Sequence, residues 1–116
     1  MPRPETALQR KIKLHLEVYG FFPVHVPNGA VLAGGKRSRA IQVNSLKADG
    51  MRKGFPDLVV YADEGKVGHI EVKVEDGEQS PAQKGVQIQL EAMGHHYAVC
   101  RSTEDVDQTL VAWGWL

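Results

Sequence analysis

A chain of 116 residues suits one domain, residues 1–116, with a modest core. Its 42% apolar and 24% charged content is that of an ordinary globular fold and excludes the disordered and membrane-embedded classes. The formal net charge of zero hides a division: residues 1–54 carry ten Lys and Arg against three acids, and residues 55–116 carry four against eleven, so the first half offers a basic surface to a polyanion.

No apolar run approaches the length of a membrane span, and the start, MPRPETALQRK, lacks the apolar core of a signal peptide; a cytosolic protein is expected. The single cysteine, Cys100, rules out an internal disulfide and a cysteine-rich zinc site. Within the apolar run YAVC it reads as a buried thiol.

In chain order, Leu8, Ile12, Leu16 and Tyr19 recur at helical spacing between Pro4 and Tyr19, with Ala7, Leu14 and Val18 widening the stripe and Gly20 ending the helix. Residues Phe21 to Val26 read as a short strand stopped by the turn Pro27-Asn28-Gly29. The stretch VLAGGKRSR reads as a glycine-rich loop whose Lys36, Arg37 and Arg39 follow a phosphate backbone or, more plainly, face water. A helix capped by Ser38 runs to Asp49, with a poor apolar stripe of Ala40, Ile41, Leu46 and Ala48. It is expected to pack on the sheet edge and to bring Lys47, Arg52 and Lys53 beside Asp57.

Leu58 to Tyr61 and Val67 to Val74 read as two strands of a hairpin around the ADEGK turn. Ser80-Pro81-Ala82-Gln83 is a helix start with a capping box and Pro at the first position, followed by a stripe of Val86, Leu90 and Met93 and a stop at Gly94. His95 to Arg101 reads as a strand, and Thr103 caps a last helix with Val106, Leu110 and Trp113 as its stripe. The five histidines show no zinc spacing. The order of elements predicts an α/β fold, a central mixed β-sheet flanked by α-helices.

The hairpin carries the chemistry. Asp57 opens its first strand, and Glu71 and Lys73 lie on one face near the end of the antiparallel partner, so the three meet at one end. Asp57 and Glu71, joined by the Val72 carbonyl, are hard oxygen ligands suited to Mg²⁺. Such an ion acidifies a bound water and neutralises charge on a phosphate, while Lys73 orients the nucleophile or stabilises the transition state.

At Pro56-Asp57 and Glu71-Val72-Lys73 the sequence resembles the PD-(D/E)XK nuclease superfamily. The ordered set PNG (27–29), LKADGMRKGFPDLVVY, IEVK and SPAQ (80–83), covering nearly the whole chain, is similar to the VRR-NUC family of virus-type replication and repair nucleases. The resemblance implies a restriction-endonuclease-like core and a Mg²⁺-dependent DNA endonuclease, with Mn²⁺ as substitute. It also implies a homodimer that acts on branched DNA such as a four-way junction, in the cytosol of a bacterium or a phage-infected cell.

By the same resemblance Glu5, on the first helix, assists the metal, although a first-turn glutamate also simply favours the helix dipole. Gln83 stands beside the site, in competition with its capping role. Asn28, Lys36, Arg37, Arg39, Lys47, Arg52, Lys53 and Lys84 become candidate contacts to DNA. Trp115 and Leu116, beyond the last stripe, are expected either to meet a second copy or to fold back on the sheet. The competing functions are a non-catalytic nucleic-acid-binding module of the same fold and a metal-dependent hydrolase of small phosphoesters, which the basic first half disfavours.

Overall fold

The computed structural model describes residues 2–27 and 34–116. Along them run α1 (Pro4–Val18), β1 (Phe22–His25), α2 (Lys36–Ala48), β2 (Leu58–Ala62), β3 (Lys66–Val72), α3 (Pro81–Ala92), β4 (His96–Cys100) and α4 (Thr103–Ala112). The strands form one sheet in the order β1-β2-β3-β4, with the first two pairings antiparallel and β3–β4 parallel. This is the mixed α/β sheet that the order of elements predicts, and α3 is the crossover between the parallel pair. No helix among the described residues is long and apolar enough to cross a membrane.

Alternation sorts the sheet into two unequal faces. Leu58, Val60, Ile70, Val72 and Cys100 form one buried cluster with Ile12 and Leu16 of α1 and Val106 and Leu110 of α4. Leu14 and Val18, predicted to widen the α1 stripe, are 60% and 87% exposed. Each follows a buried residue by two positions, a rotation of roughly 200° that carries the side chain to the opposite side of the helix. Asp107 Oδ1 ties α4 to α1, accepting from the Tyr19 hydroxyl at 2.6 Å and lying 2.7 Å from His15 Nε2.

The chain end folds back on its own sheet. Trp113 and Trp115 pack against the core with ring centroids 4.9 Å apart, and Trp115 also meets Phe21 at 5.5 Å. Gly68 makes this possible, because a Cβ there would run into the Trp113 ring.

The other face carries His69, Glu71, Lys73 and Tyr97, and α3 covers it over β4. The predicted capping box is present: Gln83 N donates to Ser80 Oγ at 3.2 Å, and Ser80 N donates to Gln83 Oε1 at 2.8 Å. The stripe behind it departs from expectation. Val86 and Leu90 are half-buried and Met93 is 59% exposed, because no second layer of the described residues lies over α3.

The difference traces to α2, which among the described residues approaches no other helix or strand and does not pack on the sheet edge. Its Ile41 and Leu46 are 61% and 39% exposed, and the five-residue spacing between them makes no stripe. The helix also starts earlier than expected: Gly34 (φ +92°) and extended Gly35 lead into it, with Gly35 as N-cap and no side-chain cap. Lys36, Arg37 and Arg39 therefore stand on a helix, not a loop, and Ser38 lies inside it. In α4 the capping residue is Ser102, whose side chain accepts from Asp105 N at 3.1 Å, because Ser102 is extended whereas Thr103 is already helical.

Candidate active site

The β2–β3 register pairs Leu58 with Ile70, which sets Asp57 and Glu71 side by side at the end of the hairpin. Fully buried Pro56 leads the chain into this point. Asp57 is then fixed from two sides. Its Oδ2 accepts from the Val72 N–H at 2.8 Å, and its backbone carbonyl accepts from the Val26 N–H at 2.9 Å, with His25 Nδ1 at 3.1 Å. The contact Val72 makes to Asp57 thus runs through its amide.

Glu71 is 1% exposed. Its Oε1 lies 3.4 Å from Gln83 Nε2, which donates, while its buried Oε2 accepts from no donor among the described residues. Burial, followed by the hydrogen bond to Asp57 and the charge of Asp57, pushes the Glu71 carboxyl up to about 9; Lys73 pulls the other way, and the charge of Glu5 adds to the rise. Two neighbouring carboxyls in a dry place cannot both ionise cheaply, so one keeps a proton until a cation replaces it. An orphaned oxygen beside a second carboxylate suits a hard divalent ion that draws further ligands from water and substrate.

Lys73, 8% exposed, follows on the same face. Its amide donates to Cys100 O at 3.1 Å, after which the chain leaves the sheet, so β3 ends at Val72, short of the expected Val74. Arg101 Nη1 pins that exit by donating to the carbonyls of Val74 at 2.7 Å and Gly77 at 2.6 Å.

A cavity of about 560 Å³ opens in front of Asp57, lined among others by Glu5 and Gln9 of α1, His25 of β1, Lys53 and Gln83, while Glu71 is not among the lining residues. Glu5 therefore shares a wall with Asp57. Among the described residues no three His, Cys, Asp or Glu side chains converge as a closed ligand set. The two roles weighed for Gln83 coexist, since Oε1 caps α3 and Nε2 faces Glu71. Gly54 (φ +83°) passes close against the first turn of α3; a Cβ there would lie 2.5 Å from the Ala82 carbonyl carbon.

Of the candidate cationic contacts, Lys53 lines this cavity, and Lys47, Arg52 and Lys53 line a second one beside it. Lys84 is exposed on the first turn of α3, and Lys36, Arg37 and Arg39 are exposed at the start of α2. Asn28 lies outside the described residues. Sequence reasoning missed Gln9 and His25, whose side chains meet at 2.9 Å on the cavity wall. Gln9 stands one helical turn after Glu5, a signal that was available. His25 is reached only through the β1–β2 pairing. Cys100 is buried in the core, its thiol pushed up to about 11 by burial, as an inert core cysteine should be.

The profile of the VRR-NUC domain family matches residues 4–104. Two solved structures are similar. One, a VRR_NUC domain, superposes with a TM-score of 0.64 at 24% identity, covering 93% of this chain and 94% of that one. The other, a VRR_NUC domain protein, superposes with a TM-score of 0.69 at 18% identity, covering 100% and 90%. No curated protein matches. At these identities the structures speak for a shared restriction-endonuclease-like core alone, but the profile spans most of the chain, from α1 through the hairpin into α4, and on that ground the protein belongs to the VRR-NUC family, a nuclease-type family.

Proposed function

We propose that the chain is a Mg²⁺-dependent endonuclease that hydrolyses phosphodiesters in branched DNA as a homodimer. The observation that carries this reading is the buried Oε2 of Glu71, which no donor among the described residues meets, beside Asp57 on the wall of an open cavity that Lys53 also lines. Asp57 and Glu71 would hold the ion, with the Val72 carbonyl and Glu5 as further oxygen donors. Once bound, Mg²⁺, or Mn²⁺ in its place, supplies a more acidic water and offsets charge on the phosphate.

The chain's own groups do the rest. The Val72 amide holds Asp57, and the Gln83 amide holds Glu71, so neither carboxylate must reorganise when substrate arrives. Lys73, buried beside Glu71, orients the attacking water and stabilises the negative charge that builds on the phosphate. The α2 cations support an anionic partner in a second way: Lys36, Arg37 and Arg39 crowd the N-terminal end of a helix, where positive charge opposes the dipole, and a phosphate relieves that repulsion.

Branched DNA and the homodimer belong together, because one chain offers one carboxylate pair whereas resolving a four-way junction takes two symmetric cuts, which a two-fold dimer supplies. The support for the dimer is this requirement alone, since Trp115 is occupied within its own chain. The test is cleavage of duplex, single-stranded, flap and four-way DNA with Mg²⁺, by protein whose mass in solution is measured by sedimentation. Paired symmetric nicks by a species of twice 12.8 kDa are expected. A stable monomer that cuts only flaps would contradict the junction and dimer assignments, and no cleavage of any DNA would contradict the nuclease.

A further inference from the structure

A second cavity, of about 660 Å³, lies between the segment leading from α2 to β2 and the outer side of α3. Val86, Leu90 and Met93 of α3 form one apolar wall, with Met51 and Phe55 opposite. This is the stripe that the sequence predicts as buried and that the fold leaves open. Lys47, Arg52 and Lys53 also line it, and none of its lining among the described residues is acidic. Lys53 and Phe55 also line the cavity in front of Asp57, so the two spaces adjoin.

Gly85, in the middle of α3, faces this groove. Glycine weakens a helix interior relative to alanine. Among the described residues a Cβ at this position would meet nothing within 4 Å, and Gly85 is absent from the positive-φ residues, so neither packing against them nor backbone conformation calls for it. A position that forgoes helix stability to keep an open groove wall clear points to something approaching from outside.

We propose that the groove receives the unstacked base of a nucleotide neighbouring the scissile phosphate, its ring against the Met51, Phe55 and Leu90 side and its flanking phosphates on Lys47, Arg52 and Lys53. The mixture decides the occupant. An apolar bed suits a base of any sequence, because every base has an apolar face, and three cations without an acid suit the backbone that carries it. A second copy of the chain fits worse, since a two-fold contact through this groove sets the cations of one copy against those of the other. The assignment rests on the nuclease reading only for what the adjoining site does.

The experiment places 2-aminopurine at single positions around the branch of a four-way DNA junction and titrates it with the protein in Ca²⁺. Emission should rise at one position as that base leaves the stack. Gly85→Leu fills the groove with a good helix former and no change of charge. It should abolish the rise and weaken binding about tenfold, while the thermal midpoint stays level or increases. Met93→Glu, at an exposed residue, should do the same to emission and binding, which keeps the test decisive if the leucine variant fails to fold. Unchanged emission and affinity in a folded variant would overturn the proposal. DNA bound with the emission rise but never cut in Mg²⁺ or Mn²⁺ would support the groove and overturn the nuclease reading, whereas cleavage without any emission change would do the reverse.

Discussion

Replacing Glu71 with glutamine should stabilise the metal-free protein by an amount that grows with pH. In the fold the Glu71 carboxyl keeps its proton up to about 9, whereas in the unfolded chain it releases it near the ordinary value of 4.5. Between those two points folding takes up a proton. This contribution is therefore fully present below the unfolded value and is lost as pH rises toward the folded one, by up to about 1.4 kcal/mol per unit. Glutamine has the same shape and no charge, and its amide can donate to Asp57 as the protonated carboxyl does. Between pH 6 and pH 8 the wild type should thus lose up to about 3 kcal/mol relative to the variant.

His69, whose pKa burial lowers, is present in both proteins, so its own pH dependence cancels in the difference. The assay is urea unfolding of both proteins with chelator across that range, repeated with Mg²⁺. The ion should stabilise the wild type, where it replaces the proton, far more than the variant. Parallel stability profiles in chelator would show that Glu71 is ionised in the metal-free fold and would refute the reasoning.

Asp57→Asn should abolish cleavage while DNA binding survives, because it removes a ligand charge and almost no surface; robust cutting by this variant in Mg²⁺ would remove Asp57 from the site. Lys73→Ala should lower the single-turnover cleavage rate by about two orders of magnitude if its charge acts in the transition state, and a loss under tenfold would reduce it to a packing residue. Gly54→Ala forces a side chain into a left-handed backbone position and against the Ala82 backbone, which should cost about 1–3 kcal/mol in chemical denaturation and push the chain before Asp57 away from the first turn of α3; an unperturbed, active variant would contradict that close approach. Alanine at Lys36, Arg37 and Arg39 together should weaken DNA binding and flatten its salt slope by up to about one unit per lost phosphate contact, whereas an unchanged slope would mean that this end of α2 faces away from DNA.

The hairpin was legible in the sequence because its instructions are local. Period-two burial, a turn and a Pro-Asp entry fix the register, and the register alone sets Asp57 beside Glu71. The α3 start was legible for the same reason, since a capping box is written within four residues. What sequence could not supply depends on partners far along the chain. His25 reaches Asp57 only through the β1–β2 pairing. Trp115 reads as terminal surplus until Gly68, far earlier in the chain, is seen to clear space for the Trp113 ring against which Trp115 packs. The α2 reading erred for a different reason: Ile41 and Leu46 form no stripe, so nothing in the sequence says what the helix lies against, and among the described residues it lies against no other helix or strand.

The two faces of the sheet divide the burden of stability and the burden of chemistry between alternate residues of a single strand. In β3, Ile70 and Val72 enter the apolar cluster with α1 and α4, while His69 and Glu71, and Lys73 just beyond, turn to the thinly covered face under α3. A buried glutamate with an unpaired oxygen is costly, and α3, which has no fully buried residue of its own, adds little apolar packing on that face to offset the cost. The compensating free energy must come from the opposite side of the hairpin, where Leu58 and Val60 of β2 and Ile70 and Val72 of β3 are at most 1% exposed. The faces are coupled through the backbone and not through side-chain contact, because the amide of Val72, whose side chain is in the core, donates to the Asp57 carboxylate. A core substitution such as Val72→Ala should consequently do more than lower stability: by loosening the strand that carries this amide it should also impair the site, whereas Val106→Ala, in the same core but on α4, should lower stability without that second effect.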